Sequence, residues 1–447
     1  MTTAFRPRTL VLFMGDMLSF ILALWLSLFL RAFELPIQGV FVAHLVPFSL
    51  LFIAWVAVFF IAGLYENRSI ILARRALSAT LLIAQTFNVA IAALFFFFVP
   101  LFGIAPKTLL FIYLVVSFLL VLIWRAALAP RLWHPERAIA VGSGPEIQEL
   151  AVALNAAHRA PARIAAIIDP SEEDLAGELR AAVARYRVRM VIADWDNPRV
   201  SAVFGDISSY IAAGVRFFDA TGLYESMFGR ISLHRVDNRW VARHVSRYAH
   251  TLYDSLKRIM DVTIALPLWL VSLVLYPFVA LAIKAEDGGN VFVLLPRVGK
   301  DGKTIYIKKF RSMTGNDAGS YGKSGVSRLS VTKVGTFLRG SRLDEFPQLL
   351  GVVRGDLSLI GPRPETPSLV EIYEKEIPYY RLRHLIKPGL SGWAQLYHDN
   401  HPHHGTEVEA TQEKLSYDLY YLTNRSLMLD ATIALKTIKK LLTRSGV

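Results

Sequence analysis

The chain has 447 residues, 53% of them hydrophobic and only 19% charged, with a net charge of +13 and no cysteine. The apolar excess argues against a purely soluble protein and calls for membrane segments beside folded domains; the absence of cysteine excludes a disulfide framework and a thiolate metal site. The basic balance suits an anionic membrane face or phosphate-bearing substrates, and the apolar content favours these over nucleic acid.

Four long apolar stretches come first, over residues 10–30, 41–64, 76–102 and 109–124. Each nears or exceeds the roughly 18 residues that cross a bilayer as helix, so residues 1–130 are expected to form a four-helix transmembrane bundle. The first stretch is long and no small-residue cleavage site follows it, so a cleavable signal peptide is not expected. Arg6 and Arg8 precede the first span, Arg68, Arg74 and Arg75 separate the second from the third, and Arg125, Arg131 and Arg137 follow the fourth. The other two loops carry only Arg31 and Lys107. The excess of positive charge therefore puts both ends of the bundle on the cytoplasmic side. Asp16 falls inside the first span, as either a functional membrane carboxylate or one that reaches the nearby interface.

Residues 137–225 read as a Rossmann-like α/β domain. "RAIAVGSGPEIQELAVALNAA" gives a buried strand, a glycine turn and a helix, and further short strands are expected at 162–170, 188–196 and 214–220. The turn supplies Gly142 and Gly144, but Ile147 stands where a dinucleotide fingerprint has its third glycine; Asp169 ends the second strand. Such a turn could hold a nucleotide phosphate at the helix N-terminus, or be a structural remnant.

Residues 226–250 form a basic connector. A fifth apolar stretch follows at 262–283, flanked by Lys257 and Arg258 before and Lys284 after, with Pro267 and Pro277 inside. Basic residues at both ends and internal prolines predict a re-entrant membrane helix over about 261–284 rather than a crossing. Residues 251–447 then form a mixed α/β catalytic domain anchored by that helix. Its last helix carries Lys436, Lys439, Lys440 and Arg444 against Leu435, Ile438 and Leu441, fit for an anionic membrane surface or for packing on the domain. His398, His401, His403 and His404 could bind a transition metal, but Pro402 and Gly405 mark a loop in which nothing fixes their geometry.

Within this domain "SRLDEFPQLLGVVRGDLSLIGPRPE" places Asp344 beside Glu345. Adjacent carboxylates repel, so cations must offset them. Lys308, Lys309, Arg311, Arg339 and Arg342 precede the pair, and Arg354 and Arg363 follow. Carboxylates among so many cations suggest a divalent metal and phosphate groups sharing one site, where an aspartate can attack phosphorus. An acidic helix start with ordinary ion pairs is the plainer reading of the dipeptide alone.

The dipeptide is not alone. "KRIMD", a hydrophobic helix, "RVGKDGKTIYIKKFRSM", "TKVGTFLRGSRLDEFPQLLGVVRGDLSLIGPRPE", "KPGLSGWAQ" and "YDLYYLTNRSLMLDATIALKTI" follow in that order. Together they resemble the bacterial sugar transferases, the monotopic polyprenyl-phosphate phosphoglycosyl transferases, and the spans and α/β domain in front resemble the long form of that family. The resemblance implies transfer of a sugar-1-phosphate from a UDP-sugar to undecaprenyl phosphate at the cytoplasmic face of the bacterial inner membrane, initiating exopolysaccharide, O-antigen or capsule assembly. It implies Asp344 as nucleophile, Glu345 as its partner, and Mg²⁺ held by both. Arg339 and Arg363 match phosphate or nucleotide contacts, as do the cations Lys308, Lys309 and Arg311, with Arg342 beside them. Asp356 and Pro362 are structural by the same comparison, and long members suggest a homodimer.

Two departures stand out. The family's re-entrant helix breaks at a Ser-Pro pair, whereas here Tyr276 precedes Pro277, displaced by about a turn. After "GWAQ" the family's Val-Asn-Gly-Arg run is replaced by "LYHDNHPHHG", which leaves the sugar open. A membrane-bound NAD-dependent nucleotide-sugar dehydratase would need a complete glycine fingerprint and a Tyr-x-x-x-Lys pair; Tyr186 and Tyr210 lack the lysine. A non-catalytic membrane scaffold would leave the Asp-Glu stretch idle.

Overall fold

A computed structural model describes residues 6–65, 77–99, 107–132, 135–157, 160, 162–204, 207–245, 251–314, 330–397 and 408–442. The chain divides into two units, Met1–Gly229 and Arg230–Val447.

In the first unit, backbone groups in a bilayer must be satisfied within the segment, and the apolar stretches accordingly form helices. These are α1 (Arg6–Ala32), α2 (Gln38–Ile61), α3 (Leu77–Phe98) and α4 (Lys107–Ile123). All four supply helix long and apolar enough to cross a membrane. Phe20, Phe48, Trp55 and Tyr113 are fully buried between them. A π-helical turn, Trp124–Leu128, ends α4 and carries Arg125 into the bundle. Its Nε donates to Asp16 Oδ1 at 2.9 Å, its Nη1 to the Leu64 carbonyl at 2.8 Å, and Tyr65 Oη donates to Asp16 Oδ2 at 2.6 Å. Asp16 is therefore buried inside the bundle in a satisfied ion pair. Gly15 makes the neighbouring seat: a Cβ there would fall 1.8 Å from the Trp124 ring. Asp16→Ala strands a buried guanidinium and is expected to cost about 3–5 kcal/mol, while Asp16→Leu with Arg125→Met recovers most of the loss; thermal unfolding in detergent measures both.

The same unit holds four parallel strands in the order β2-β1-β3-β4. They are β1 (Glu136–Val141), β2 (Ala162–Ile168), β3 (Met190–Ala193) and β4 (Arg216–Asp219), joined by α5 (Pro145–Ala156), α6 (Leu175–Tyr186), α7 (Pro198–Val203) and α8 (Ile207–Ala212) and followed by α9 (Ala220–Phe228). Alternate strand residues feed two cores. Ala138, Ala140 and Ile192 pack with α5 and α9, while Ile139, Val141 and Val191 pack with α6 and α7. The sheet is thus covered on both faces, with the flavodoxin-type strand order rather than the 3-2-1-4 start of the dinucleotide-binding fold.

The second unit begins within the segment read from sequence as a connector: Ile231, Val236, Trp240 on α10 (Asn238–His244) and Val245 join its main core. Helix α11 (Thr251–Leu273) breaks at residues 274–275, and α12 (Tyr276–Asp287) leaves at a 52° bend. Pro277 stands in the first turn of α12, where a missing N–H costs nothing, and Pro267 is accommodated inside α11. Strands β5 (Phe292–Val298) and β6 (Thr304–Phe310) form an antiparallel hairpin. Then come α13 (Lys333–Ser341), a 3₁₀ turn (Leu343–Gln348), α14 (Leu349–Arg354), β7 (Ser358–Ile360), α15 (Pro367–Glu376), β8 (Gly389–Ser391), α16 (Trp393–Tyr397), α17 (Val408–Asn424) and α18 (Leu427–Leu442).

The "KRIMD" residues tie α11 to this unit. Lys257 Nζ donates to Asp430 Oδ2 at 2.9 Å, Arg258 donates to the Val352 and Val353 carbonyls at 2.6 Å each, and Asp261 accepts from the Leu359 N–H at 3.1 Å. Asp430 is fully buried on α18, which packs through Ile433. Lys440 Nζ donates to the Gln395 carbonyl at 3.2 Å, so α18 is a packed helix of the domain.

Candidate active site

Positions 344 and 345 sit on the short 3₁₀ turn between α13 and α14. Thr332 caps α13 by accepting from the Gly335 N–H at 2.8 Å, and Glu286 of α12 accepts from the Lys333 N–H at 2.7 Å. A Cβ on Gly335 would lie 1.9 Å from the Ser312 carbonyl, so only glycine lets α13 lie this close to the end of β6. Arg342 closes the helix in the left-handed region, at φ 55°. A non-glycine residue there costs roughly 1–2 kcal/mol, and the reversal it makes turns Asp344 inward. The Asp344 side chain is buried; Glu345 is partly exposed.

Strand β6 supplies the counter-charge. Its side chains alternate between faces, so Lys309 shares the inner face with Ile307 and its Nζ donates to Glu345 Oε1 at 2.8 Å. Arg363 Nη2 lies 3.8 Å from the same oxygen. Burial alone would raise Glu345, but Lys309, Arg363 and Arg342 outweigh it and hold the carboxyl down at about 2. Asp344 moves the other way. Burial pushes it up, Lys309 opposes, and the Glu345 charge adds to the rise. Among the described residues no cation forms an ion pair with Asp344.

The remaining sequence candidates separate. Arg339 and Arg342 stand close enough to act electrostatically on Asp344. Lys308 points to the outer face of β6, 3.9 Å from the centre of the Phe292 ring. Arg311 is buried in an ion pair with Asp287. Asp356 is exposed in the turn after α14, near Lys387. Pro362 is buried, and its carbonyl accepts from the Gly389 N–H at 2.9 Å. The histidines at 398, 401, 403 and 404 lie outside the described residues. In the first unit, Asp169 accepts from the Ser171 N–H and hydroxyl, and a Cβ on Gly144 would fall 2.2 Å from the Glu146 carboxylate. A carboxylate of α5 itself thus covers the glycine turn where a phosphate would approach.

Arg363 is held by groups that sequence reading assigned no role. Arg383 donates to the Arg363 carbonyl at 2.9 Å, to Tyr380 Oη at 2.8 Å and to Asp418 at 2.9 Å. Glu365 pairs with Lys414 and lies 3.7 Å from Arg383. Only the position of Asp418 in "YDLYY" and of Glu365 after "GPRP" hinted at them. Three glycines bring the backbones together: a Cβ on Gly389 would sit 2.1 Å from Gly361 N, and one on Gly392 would sit 2.4 Å from the Gly361 carbonyl.

The family model for bacterial sugar transferase matches residues 252–444. An Exopolysaccharide production protein PSS of Rhizobium leguminosarum bv. phaseoli is 35% identical over 195 residues, 42% of this chain and 96% of that protein. The chain belongs to the bacterial sugar transferase family. A UDP-glucose:undecaprenyl-phosphate glucose-1-phosphate transferase of Caulobacter vibrioides is 38% identical over 194 residues, 42% of this chain and 71% of that protein. A UDP-N-acetylgalactosamine-undecaprenyl-phosphate N-acetylgalactosaminephosphotransferase of Aeromonas hydrophila is 33% identical over 288 residues, 63% of this chain, and the chain spans 60% of its length.

Two consequences follow for this sugar transferase domain. Gly389→Ala forces its Cβ into backbone and is expected to cost about 1–3 kcal/mol, read as a lowered unfolding temperature. The second concerns pH. Burial and the Arg383 charge hold His384 down at about 3. Glu365, which burial alone would raise, is kept at about 2 by Lys414 and Arg383. All three depressed groups contribute stability that is complete above their unfolded values and lost as pH falls towards the folded ones. Unfolding temperature should therefore decline below about pH 6.5 through His384, then more steeply below about 4.5 through Glu345 and Glu365. His384→Gln should flatten only the upper part of that profile.

Proposed function

We propose that the chain transfers a sugar-1-phosphate from a UDP-sugar to undecaprenyl phosphate, releasing UMP and forming a polyprenyl-diphosphate sugar. The observation that carries this reading is the unequal treatment of the two carboxylates. Glu345 is committed to Lys309 and Arg363, whereas Asp344 is buried, raised, and without an ion pair among the described residues. A carboxylate removed from water and not neutralised by a bound lysine is available as a nucleophile.

An Asp344 oxygen attacks the phosphorus that bears the sugar, and UMP leaves with the electron pair of the broken P–O bond. The phosphosugar-aspartyl intermediate is then attacked at the same phosphorus by an oxygen of the lipid phosphate, and the aspartate carboxylate is expelled. Arg363, Arg342 and Arg339 surround the phosphates and stabilise the charge that shifts between them. Among the described residues no three His, Asp or Glu side chains form a metal cage. Asp344 and the second oxygen of Glu345, whose Oε1 is taken by Lys309, would be the ligands for Mg²⁺, which takes one or two protein carboxylates and completes its shell from substrate phosphates. Bound by Asp344 and Glu345, it would neutralise the diphosphate and ease departure of UMP.

Membrane re-entry by α11 and α12 is supported by where their ends go. Lys257 and Arg258 of α11 bond to α18 and α14, while Val279 and Ile283 of α12 pack against Phe310 of β6 and Leu338 of α13. Both arms therefore return to one unit, whereas a full crossing would part them by about 30 Å. With the arginines that flank the spans, this favours a domain on the cytoplasmic face of the bacterial inner membrane. The relatives' names support a first step in exopolysaccharide or related glycan assembly.

Purified protein with undecaprenyl phosphate, Mg²⁺ and a panel of UDP-sugars is expected to release UMP only when lipid is present. Asp344→Asn should lower the rate on the order of 10³-fold or more. Failure of every sugar to give lipid-dependent product, or full activity of Asp344→Asn, would sink the proposal.

A further inference from the structure

The β5–β6 hairpin has two faces with opposite fates. Val293, Leu295 and Ile307 are buried on the inner one, where Lys309 meets Glu345. The outer face starts at Phe292 and Phe310, whose stacked rings are 5.1 Å apart and lie 5.8 and 4.9 Å from Tyr276 of α12. From there it runs outward through the pairs Leu294–Lys308 and Pro296–Tyr306, about 13 Å of strand. Leu294 is 59% exposed and Tyr306 68%. Helix α13 packs beside α12 through Val334 and Leu338 and leaves Phe337 67% exposed. Helix α12 itself exposes Phe278 and Leu281 to a similar degree.

We propose that the outer face of the hairpin, with Phe337, is a second membrane contact, bedded in the headgroup layer of an anionic bilayer. It rests on the reading of α11 and α12 as a membrane-inserted pair, with which its apolar surface is continuous. The residue types match the depth. Leu294 and Phe337 enter the acyl boundary, Tyr306 is amphipathic, and the Lys308 ammonium, seated over the Phe292 ring, is the cation this face offers to lipid phosphate. The net charge of +13 adds attraction to an anionic leaflet. A functional coupling results from strand alternation. Adjacent residues of β6 serve the bilayer and the site, Lys308 outward and Lys309 to Glu345. Helix α13 likewise offers Phe337 to lipid and ends at Arg342, which turns the chain into Asp344. The seat of the hairpin thus sets the depth of the carboxylate pair relative to the lipid phosphate.

The chain has no cysteine, so single labels need no background removal. Nitroxides at Leu294→Cys, Tyr306→Cys and Phe337→Cys are placed in the full chain, reconstituted in vesicles of phosphatidylethanolamine and phosphatidylglycerol. Accessibility to oxygen and to a water-soluble nickel chelate is compared with Phe278→Cys on α12 and Val152→Cys on α5. The three labels are expected to favour oxygen, as at 278, while 152 favours the chelate. Oxygen preference at 278 with chelate preference at 294 and 306 overturns the proposal and leaves the inserted helix pair standing. Chelate preference at 278 overturns both. Shielding of 294 and 306 from both agents means protein covers the face, and also overturns it.

Discussion

Two adjacent carboxylates in a largely buried turn repel one another, and the packing around residues 344 and 345 answers that repulsion. The decisive contact is Lys309 on Glu345. It neutralises one member of the pair and leaves the other buried without a direct counter-ion among the described residues. Breaking the symmetry of the pair in this way gives two chemically similar side chains opposite shifts in acidity. The contact depends on strand alternation in β6, on the left-handed Arg342, and on the arginine turn at 361–364.

That turn in turn depends on a buried ionic network. Arg363 is held by its carbonyl, bonded to Arg383, which is balanced by Asp418 and by the Glu365–Lys414 pair. Burying this much charge stabilises little by itself, because desolvation offsets most of the attraction. Its effect is geometric: it gives the half-buried Arg363 a rigid base. The glycines at 361, 389 and 392 do the same for the backbone by admitting contacts that no side chain would permit. The "KRIMD" cations belong to the same scheme, since they fasten α11 to α14 and α18 and so join the bent α11–α12 pair to the site.

Much of this was legible in the sequence where a local rule suffices. Apolar length called the four spans, and β-α alternation called the parallel sheet. The crowd of cations around Asp344 and Glu345 announced that the pair would be offset by positive charge. The individual cations were not legible. Lys308, Lys309 and Arg311 look alike in "IKKFR", yet the first lies over Phe292, the second pairs with Glu345 and the third with Asp287. Asp16 and Arg125 are 109 residues apart, and nothing local announces that a π-helical turn brings them together.

The sequence by itself determined the membrane class, the α/β alternation, the family motifs and the Asp-Glu pair, because each depends on composition, periodicity or immediate neighbours. Only the tertiary structure decided which cation meets which carboxylate, which turn stands on which glycine, and which side of a hairpin is left exposed. Those choices depend on contacts between residues far apart in the chain. Their free energies come from burial and charge proximity, which a one-dimensional pattern does not encode.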